Sequence, residues 1–341
     1  RGESNLKLKA AKFNMEITSE YESYWNSDGS WKFQDFKCLQ CGLEFKHASF
    51  FDKNVCPNCN PKDTRSSLEE SILDFIKQHY DGHILVNECL TLGGRNELDL
   101  YLSDLRLGIE INGSYWHGVW RKGIEYHKDK SYLASLKGVK LLHIWEHDWS
   151  FKEDIVKSIL LSKLGKTPNR IYARQCVIQE VSYNKAMAFF NENHLQGGKN
   201  SGLYLGLFHN NQLVACLSIS HYKKDNYLEI DRYANLLNTT VVGGFSRLLS
   251  YVDNLFPNID IFSYASVDLN NIKEQSIYYK LGFKYEGWSS PTILFIDKQG
   301  TVHHWREFAF NNSVNKENTK SMFKIADAGN FKFKKKASNK E

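Results

Sequence analysis

Proline is scarce in this chain, at 5 of 341 residues beside 22 glycines. That excludes collagen-like and low-complexity architectures. No run of 18 apolar residues occurs, mean hydropathy is -0.49, and no membrane-spanning helix or membrane partner is expected. The first residue is Arg1, and no charged-then-apolar leader follows it. A fragment or processed chain without a secretion signal, located inside the cell, is the expectation. No internal repeat is found. What is present is 42% hydrophobic and 14% aromatic residues, enough to exclude wholesale disorder, over a length that suggests two or three folded units.

Charge is nearly balanced, with 44 Lys+Arg against 39 Asp+Glu, net +5. The excess lies at one end: residues 313–341 carry eight lysines and three acids. This stretch is expected as a basic, solvated tail, compatible with phosphate contact.

Four of the seven cysteines form two pairs, Cys38-x2-Cys41 and Cys56-x2-Cys59, fourteen residues apart. Each pair turns two thiolates toward one ion, and two pairs close a tetrahedron around Zn²⁺. Gly42 and Pro57 suit tight turns, and Trp31, Phe33, Phe36, Phe45, Phe50 and Phe51 supply apolar contacts. Disulfides are the alternative, but an intracellular chain of this length does not need them. A closed, structural zinc site is expected.

Five segments are expected: residues 1–30 a polar segment, 31–63 a zinc ribbon, 64–165 a first α/β domain, 170–312 a second, and 313–341 the tail. A helix opens at Ser66-Ser67-Leu68-Glu69-Glu70, where Ser66/Glu69 and Ser67/Glu70 both fit a capping box. A strand-turn-strand follows within 96–113, then a helix over about 125–137 that stops at Gly138, a buried strand at 140–145, another helix at 151–164 and a linker at 163–170.

In Leu98, Leu100 and Leu102, and again in Leu107, Ile109 and Ile111, apolar residues alternate with Asp99, Glu110 and Asn112. A two-residue turn at Ser103-Asp104 pairs Leu102 with Leu105, hence Asp99 with Gly108, and leaves Asp99 diagonal to Glu110. Two carboxylates so placed repel unless a cation or proton intervenes, and hard oxygen ligands suit Mg²⁺ or Mn²⁺. Alone, this is also a solvent-facing acidic stripe. His117 follows directly, and His127 and Lys130 share one face of the next helix. Metal-activated water, a base and a cation are what phosphodiester hydrolysis requires.

On Glu97-Leu-Asp-Leu-Tyr101, Gly108-Ile-Glu-Ile-Asn-Gly-Ser-Tyr-Trp-His117, Tyr126-His-x-x-Lys130 and Leu142-His-Ile-Trp-Glu-His-Asp-Trp149, residues 66–164 resemble the PD-(D/E)xK nucleases of the very-short-patch-repair branch. Phage homing endonucleases carrying a zinc ribbon are the nearest resemblance. It implies a restriction-endonuclease-like α/β core and a phage-encoded, cytoplasmic DNA endonuclease acting on double-stranded DNA. Asp99 and Glu110 would hold Mg²⁺ or Mn²⁺, and Glu69 (or Glu70) would be the helix carboxylate. His117 and His127 would handle protons or phosphate oxygens. Asn112 stands where the motif lysine belongs, with Lys130 supplying the missing charge; Trp145 and Trp149 are assigned to packing.

Further along, Val241-Val-Gly243-Gly244 reads as strand end, turn and helix start, where exposed amides can cradle a pyrophosphate. With Gln275-Ser-Ile-Tyr-Tyr279-Lys-Leu-Gly-Phe283, Asn193-His194 and Glu229-Ile-Asp-Arg232, residues 171–312 resemble the GNAT acyltransferases, including DNA-modifying ones of phages. The resemblance implies His194, Asp268 and Tyr279 as site residues and Gly243 and Gly244 as the cradle. A DNA-modifying GNAT-type acyltransferase whose nuclease-like part only binds DNA is therefore the alternative reading. A zinc-containing DNA-binding protein without activity is a third.

Overall fold

The structure is a computed structural model that describes residues 7–8, 10–19, 33–48, 56, 59, 66–93, 96–309 and 319–337. The chain divides into two compact units, residues 1–74 with 81–110, and residues 75–80 with 111–341.

In the first unit, β1 (Met15–Ile17), β2 (Phe33–Cys38) and β3 (Glu44–Ala48) form an antiparallel sheet. The stretch expected as a merely polar segment thus contributes a strand. Ala10, Met15 and Phe36 form its small core, with Phe36 and Phe45 stacked at 6.0 Å. Trp31, Phe50, Phe51 and Pro57 lie outside the described residues. Helix α1 (Ser67–Lys77) starts on a reciprocal cap: Glu69 N donates to Ser66 Oγ and Ser66 N to Glu69 Oε2. Of the two possible boxes, Ser66/Glu69 is therefore the one formed.

Strands β4 (Ile84–Glu88), β5 (Leu98–Leu102) and β6 (Leu107–Asn112) pair antiparallel in that order. The expected hairpin register is corrected here. Leu102 faces Leu107 and Gly108 faces Tyr101, because the turn is a 3-10 turn at Ser103–Leu105 closed by Arg106 at φ 48°. One step beyond the last pair, Leu100 and Ile109, Asp99 comes opposite Glu110, not diagonal to it.

The second unit contains α2 (Tyr126–Leu136), β7 (Lys140–Trp145), α3 (Glu153–Lys163), β8 (Asn169–Tyr172), β9 (Val177–Glu180), α4 (Tyr183–Asn193), β10 (Leu203–His209), β11 (Gln212–Tyr222), β12 (Tyr227–Asn235), β13 (Thr239–Val242), α5 (Gly244–Leu255), β14 (Asp260–Ser266), α6 (Ile277–Lys280), β15 (Lys284–Trp288), β16 (Ile293–Ile296), β17 (Val302–His304), β18 (Phe323–Ala326) and β19 (Asn330–Lys335). Seven strands form one sheet in the order β15-β19-β14-β12-β11-β10-β9, while β17-β16-β18 form another and β8 pairs parallel with β13. The expected linker therefore ends in a strand. The basic tail is corrected as well. Its Phe331 and Phe333 alternate with Lys332 and Lys334, and β19 lies inside the large sheet with both aromatic rings in the core.

Helix α5 presents Phe245, Leu248, Leu249 and Val252, spaced for one helical face, to Leu217, Ile219, Leu228, Ile230 and Ile261. On the opposite face α4 packs Ala186, Phe189 and Phe190 against Tyr204, Phe208 and Cys216. Trp145 of β7 packs with Ile296 and Ile325, so the three-stranded sheet and β7 share a core. Among the described residues no helix is long and apolar enough to cross a membrane.

Candidate functional site

The parallel pair β12 and β14 sets up the site. They pair only from Tyr227 opposite Asp260 to Ile230 opposite Ser263. Beyond that point β12 stays with β11 as far as Asn235, and β14 stays with β19 as far as Ser266. The two strands therefore part at their C-terminal ends. The crossover between them runs through α5, whose N-terminus returns to that same end, the usual ligand position in an open α/β sheet.

At the parting, β12 carries a bulge. Ser218 faces Arg232 and Ile219 faces Ile230, so Asp231 has no place in the ladder. Its carboxylate is buried and fixed, accepting from Ser201 Oγ (2.7 Å) and Ser220 Oγ (2.5 Å) and paired with Lys199. Lys199 also meets Glu229 at 3.2 Å. Arg232 Nε donates to Gly197 O, which ties the loop after α4 to the bulge.

Ser263 closes the throat, its Oγ donating to Ile230 O at 3.2 Å. The hydroxyls of Ser263 and Tyr278 share a hydrogen bond, and burial holds the Tyr278 phenol above its ordinary range. The Tyr278 ring is fixed by Phe245, Phe283 and Phe333 at 5.3, 5.5 and 5.6 Å. This corrects the expectation for Tyr279, which is 45% exposed. A signal was present in the sequence. In a helix that starts at Ser276, Tyr278 and not Tyr279 reaches the sheet.

Gly243 adopts φ +74°, a left-handed conformation suited to glycine, and turns β13 into α5. A Cβ on Gly244 would come 2.7 Å from the Tyr233 hydroxyl and 3.1 Å from Val241. Arg247, one turn into α5, donates to the carbonyls of Ala173 and Cys176. The cradle is thus made of backbone amides left free at the helix start. His194 is half-buried, accepts from Gln196 N at 3.1 Å, and is held down to about 3 by burial, then by Arg232 and Lys152. Asp268 is corrected from site residue to structural hub. It is buried, accepting from Trp145 Nε1 and Ala328 N, while its carbonyl takes the His143 amide.

The residues expected to form a nuclease site fall in both units: Glu69, Asp99 and Glu110 in the first, Asn112, His117, His127 and Lys130 in the second. Glu69 caps α1. Glu110 is 1% exposed and Asp99 half-buried. In the second unit His117 stacks on His127 at 5.3 Å, His127 meets His143 at 5.3 Å, and Asn112 Nδ2 lies 3.2 Å from His143 Nδ1. Ser131 Oγ meets His143 Nε2 at 2.8 Å. Lys130 is buried on the same face of α2 as His127. Burial, then nearby cations, depresses His117 to about 4 and His143 to about 3, so these rings are neutral.

In the first unit the four cysteines converge. Their sulfurs lie within 4.8 Å of one another, with Cys38 and Cys59 at 3.7 Å and Cys41 and Cys56 at 3.6 Å. A tetrahedron with Zn–S near 2.3 Å has an edge of about 3.8 Å. Gly42, at φ +74°, donates its N–H to Cys38 O and makes the first turn. The set fits a zinc ribbon. Among the described residues it is the one group of three or more His, Cys, Asp or Glu ligand atoms so gathered.

No family model and no curated protein matches the sequence. Among solved structures, the chain is similar to a GNAT family acetyltransferase from Elizabethkingia anophelis with acetyl-CoA bound (11% identity, TM-score 0.30, 48% of this chain and 98% of that one). It is similar to a Bacillus subtilis acetyltransferase in complex with CoA (12%, TM-score 0.30, 47% and 98%). It is also similar to N-acetylglutamate synthase from Neisseria gonorrhoeae complexed with coenzyme A and N-acetyl-glutamate (11%, TM-score 0.30, 68% and 51%). The chain is a mixed α/β, multi-unit protein with a four-cysteine cluster. The expectation of a DNA endonuclease is corrected. The solved structures that the chain is similar to are acetyltransferases.

Proposed function

We propose that this chain is a GNAT-type acyltransferase, moving an acyl group from a coenzyme A thioester to an amine. The observation that carries this reading is the parting of β12 and β14 beside the bulge at Asp231, with the Tyr278 hydroxyl at the throat. The amides at Gly243 to Ser246 would hold the pyrophosphate, and the unpaired edges of β12 and β14 would hold the arm of the coenzyme. The thioester supplies an activated acyl group. Backbone N–H groups released at the bulge stabilise developing negative charge on its carbonyl. Tyr278, still protonated at neutral pH, has a proton to give to a sulfur leaving group. Zn²⁺ on Cys38, Cys41, Cys56 and Cys59 would be structural.

We place the acceptor on DNA. The support is a surface patch in which the Arg121 guanidinium lies 4.8, 4.2 and 4.5 Å from the ring centroids of Tyr115, Trp116 and Trp120, all three exposed. Exposed aromatic rings and an arginine plane are groups on which nucleic-acid bases stack. Titration calorimetry with acetyl-CoA tests the donor half of the reading. Saturable binding by the full chain is expected; absence of heat at any concentration would sink it.

A further inference from the structure

The large sheet has a second face, turned away from α5. Leu228, Ile230, Ile261, Phe331 and Phe333 fill the α5 side. Alternation therefore turns Tyr227, Phe262, Tyr264, Lys332 and Lys334 to the other side. There Tyr222 stacks on Tyr227 at 4.7 Å and 15°, and Tyr227 meets Phe262 at 5.1 Å. Lys334 and Lys332 lie 4.8 and 5.1 Å from the Phe262 ring. Tyr264 is 44% and Tyr222 38% exposed, beside a depression of about 280 Å³.

The charge on this face is unbalanced. Lys223 and Lys224 at the β11–β12 turn join Lys199, Lys284, Lys332, Lys334 and Lys336, seven bases against the five acids Asp225, Glu229, Asp231, Asp260 and Glu286. Lys334 and Lys336 share Asp260 at 2.8 and 3.7 Å, and Glu229 is engaged by Lys199. Ammonium groups beside exposed aromatic rings complement a polyanion that also offers flat apolar faces. A duplex hides those faces in its own stack; an unpaired strand exposes them.

We propose that this sheet face docks single-stranded nucleic acid, with bases stacked on Tyr264 and on the Tyr222–Tyr227 pair and phosphates on the lysines. The tract leads toward the bulge, since Tyr264 lies in the field of Glu229 and Lys199, and Lys199 also holds Asp231. The proposal rests on nucleic acid being the partner, not on acyl transfer.

Fluorescence anisotropy of the full chain with a labelled oligothymidylate, and with a duplex of equal length, tests it. Wild type is expected to bind the oligothymidylate more tightly than the duplex. Replacing Tyr222 and Tyr264 together by alanine weakens that binding about ten-fold or more. Tyr264→Phe retains it, because the ring and not the hydroxyl is used. Lys332→Glu makes the salt dependence shallower, by about 0.7 in the log–log slope for each phosphate no longer neutralised. Equal binding by wild type and the alanine variant overturns the proposal. So does duplex binding without oligothymidylate binding, which would leave DNA as partner through another surface. Capture by phosphatidylglycerol vesicles without oligothymidylate binding overturns it in favour of a lipid surface.

Discussion

The indole N–H of Trp145 donates to Asp268 Oδ2 at 2.9 Å, across 123 residues of sequence. Around that bond Leu141 N donates to Asn271 Oδ1, and Asn271 Nδ2 donates to the carbonyls of Ser131 and Val139. The turn after β14 thus serves as a splint for α2 and β7. Burial and the neighbouring Asp327 carboxylate raise the Asp268 pKa, a cost accepted for this junction. Asp268→Ala leaves two buried donors without an acceptor and should destabilise the chain by about 2–4 kcal/mol. Urea unfolding measures it; a change below about 0.5 kcal/mol would contradict the assigned role.

Tyr278→Phe should lower the rate of acetyl transfer by about 100-fold or more with the KM for acetyl-CoA nearly unchanged, as loss of a proton donor requires. Tyr279→Phe should behave as wild type. Steady-state release of free coenzyme A reads both. The reverse ranking would move the role back to the exposed ring.

Gly244→Ala brings a methyl group against the Tyr233 hydroxyl and Val241. Overpacking of this kind costs about 1–3 kcal/mol. It should also shift the start of α5 and weaken acetyl-CoA binding, and calorimetry beside thermal unfolding separates the two effects. Gly243→Ala should be strained for a different reason, the positive φ.

Metal analysis of the purified chain should find one zinc, absent from the Cys38→Ser variant. In that variant the first unit should also lose protection in hydrogen exchange at β2 and β3, since Cys38 ends one strand and the Cys38–Gly42 turn joins it to the next.

Acid should destabilise the fold well above the carboxylate range. His117 and His143 are held from 6.5 down to about 4 and about 3, so the unfolded chain takes up protons that the folded one refuses. Stability is fully present above pH 6.5 and falls as pH drops toward 4, by up to about 1.4 kcal/mol per unit for each such histidine. Urea midpoints across that window check the slope, and His143→Gln should flatten it.

Much of this was legible from local signals. The cysteine spacing, the capping box at residues 66–70 and the glycine turn into α5 all rest on short-range chemistry. The acidic hairpin misled because alternation fixes which face a residue takes but not the offset, and Arg106 in a left-handed conformation moved that offset by two. Lys332 and Lys334 masked a strand whose phenylalanines kept the period. Asp268 looked chemical because a lone buried aspartate and a catalytic one are alike in sequence, and its partner Trp145 is remote.

The strand Asn330–Lys335 sits between β14 and β15, although both precede it in the chain. On the ribosome, the inner edge of β14 must wait uncovered while some sixty further residues are made, an interval in which it is open to pairing with another nascent chain. Sealing of the sheet, and with it any binding groove that depends on β14, is thus deferred until that later strand has been made.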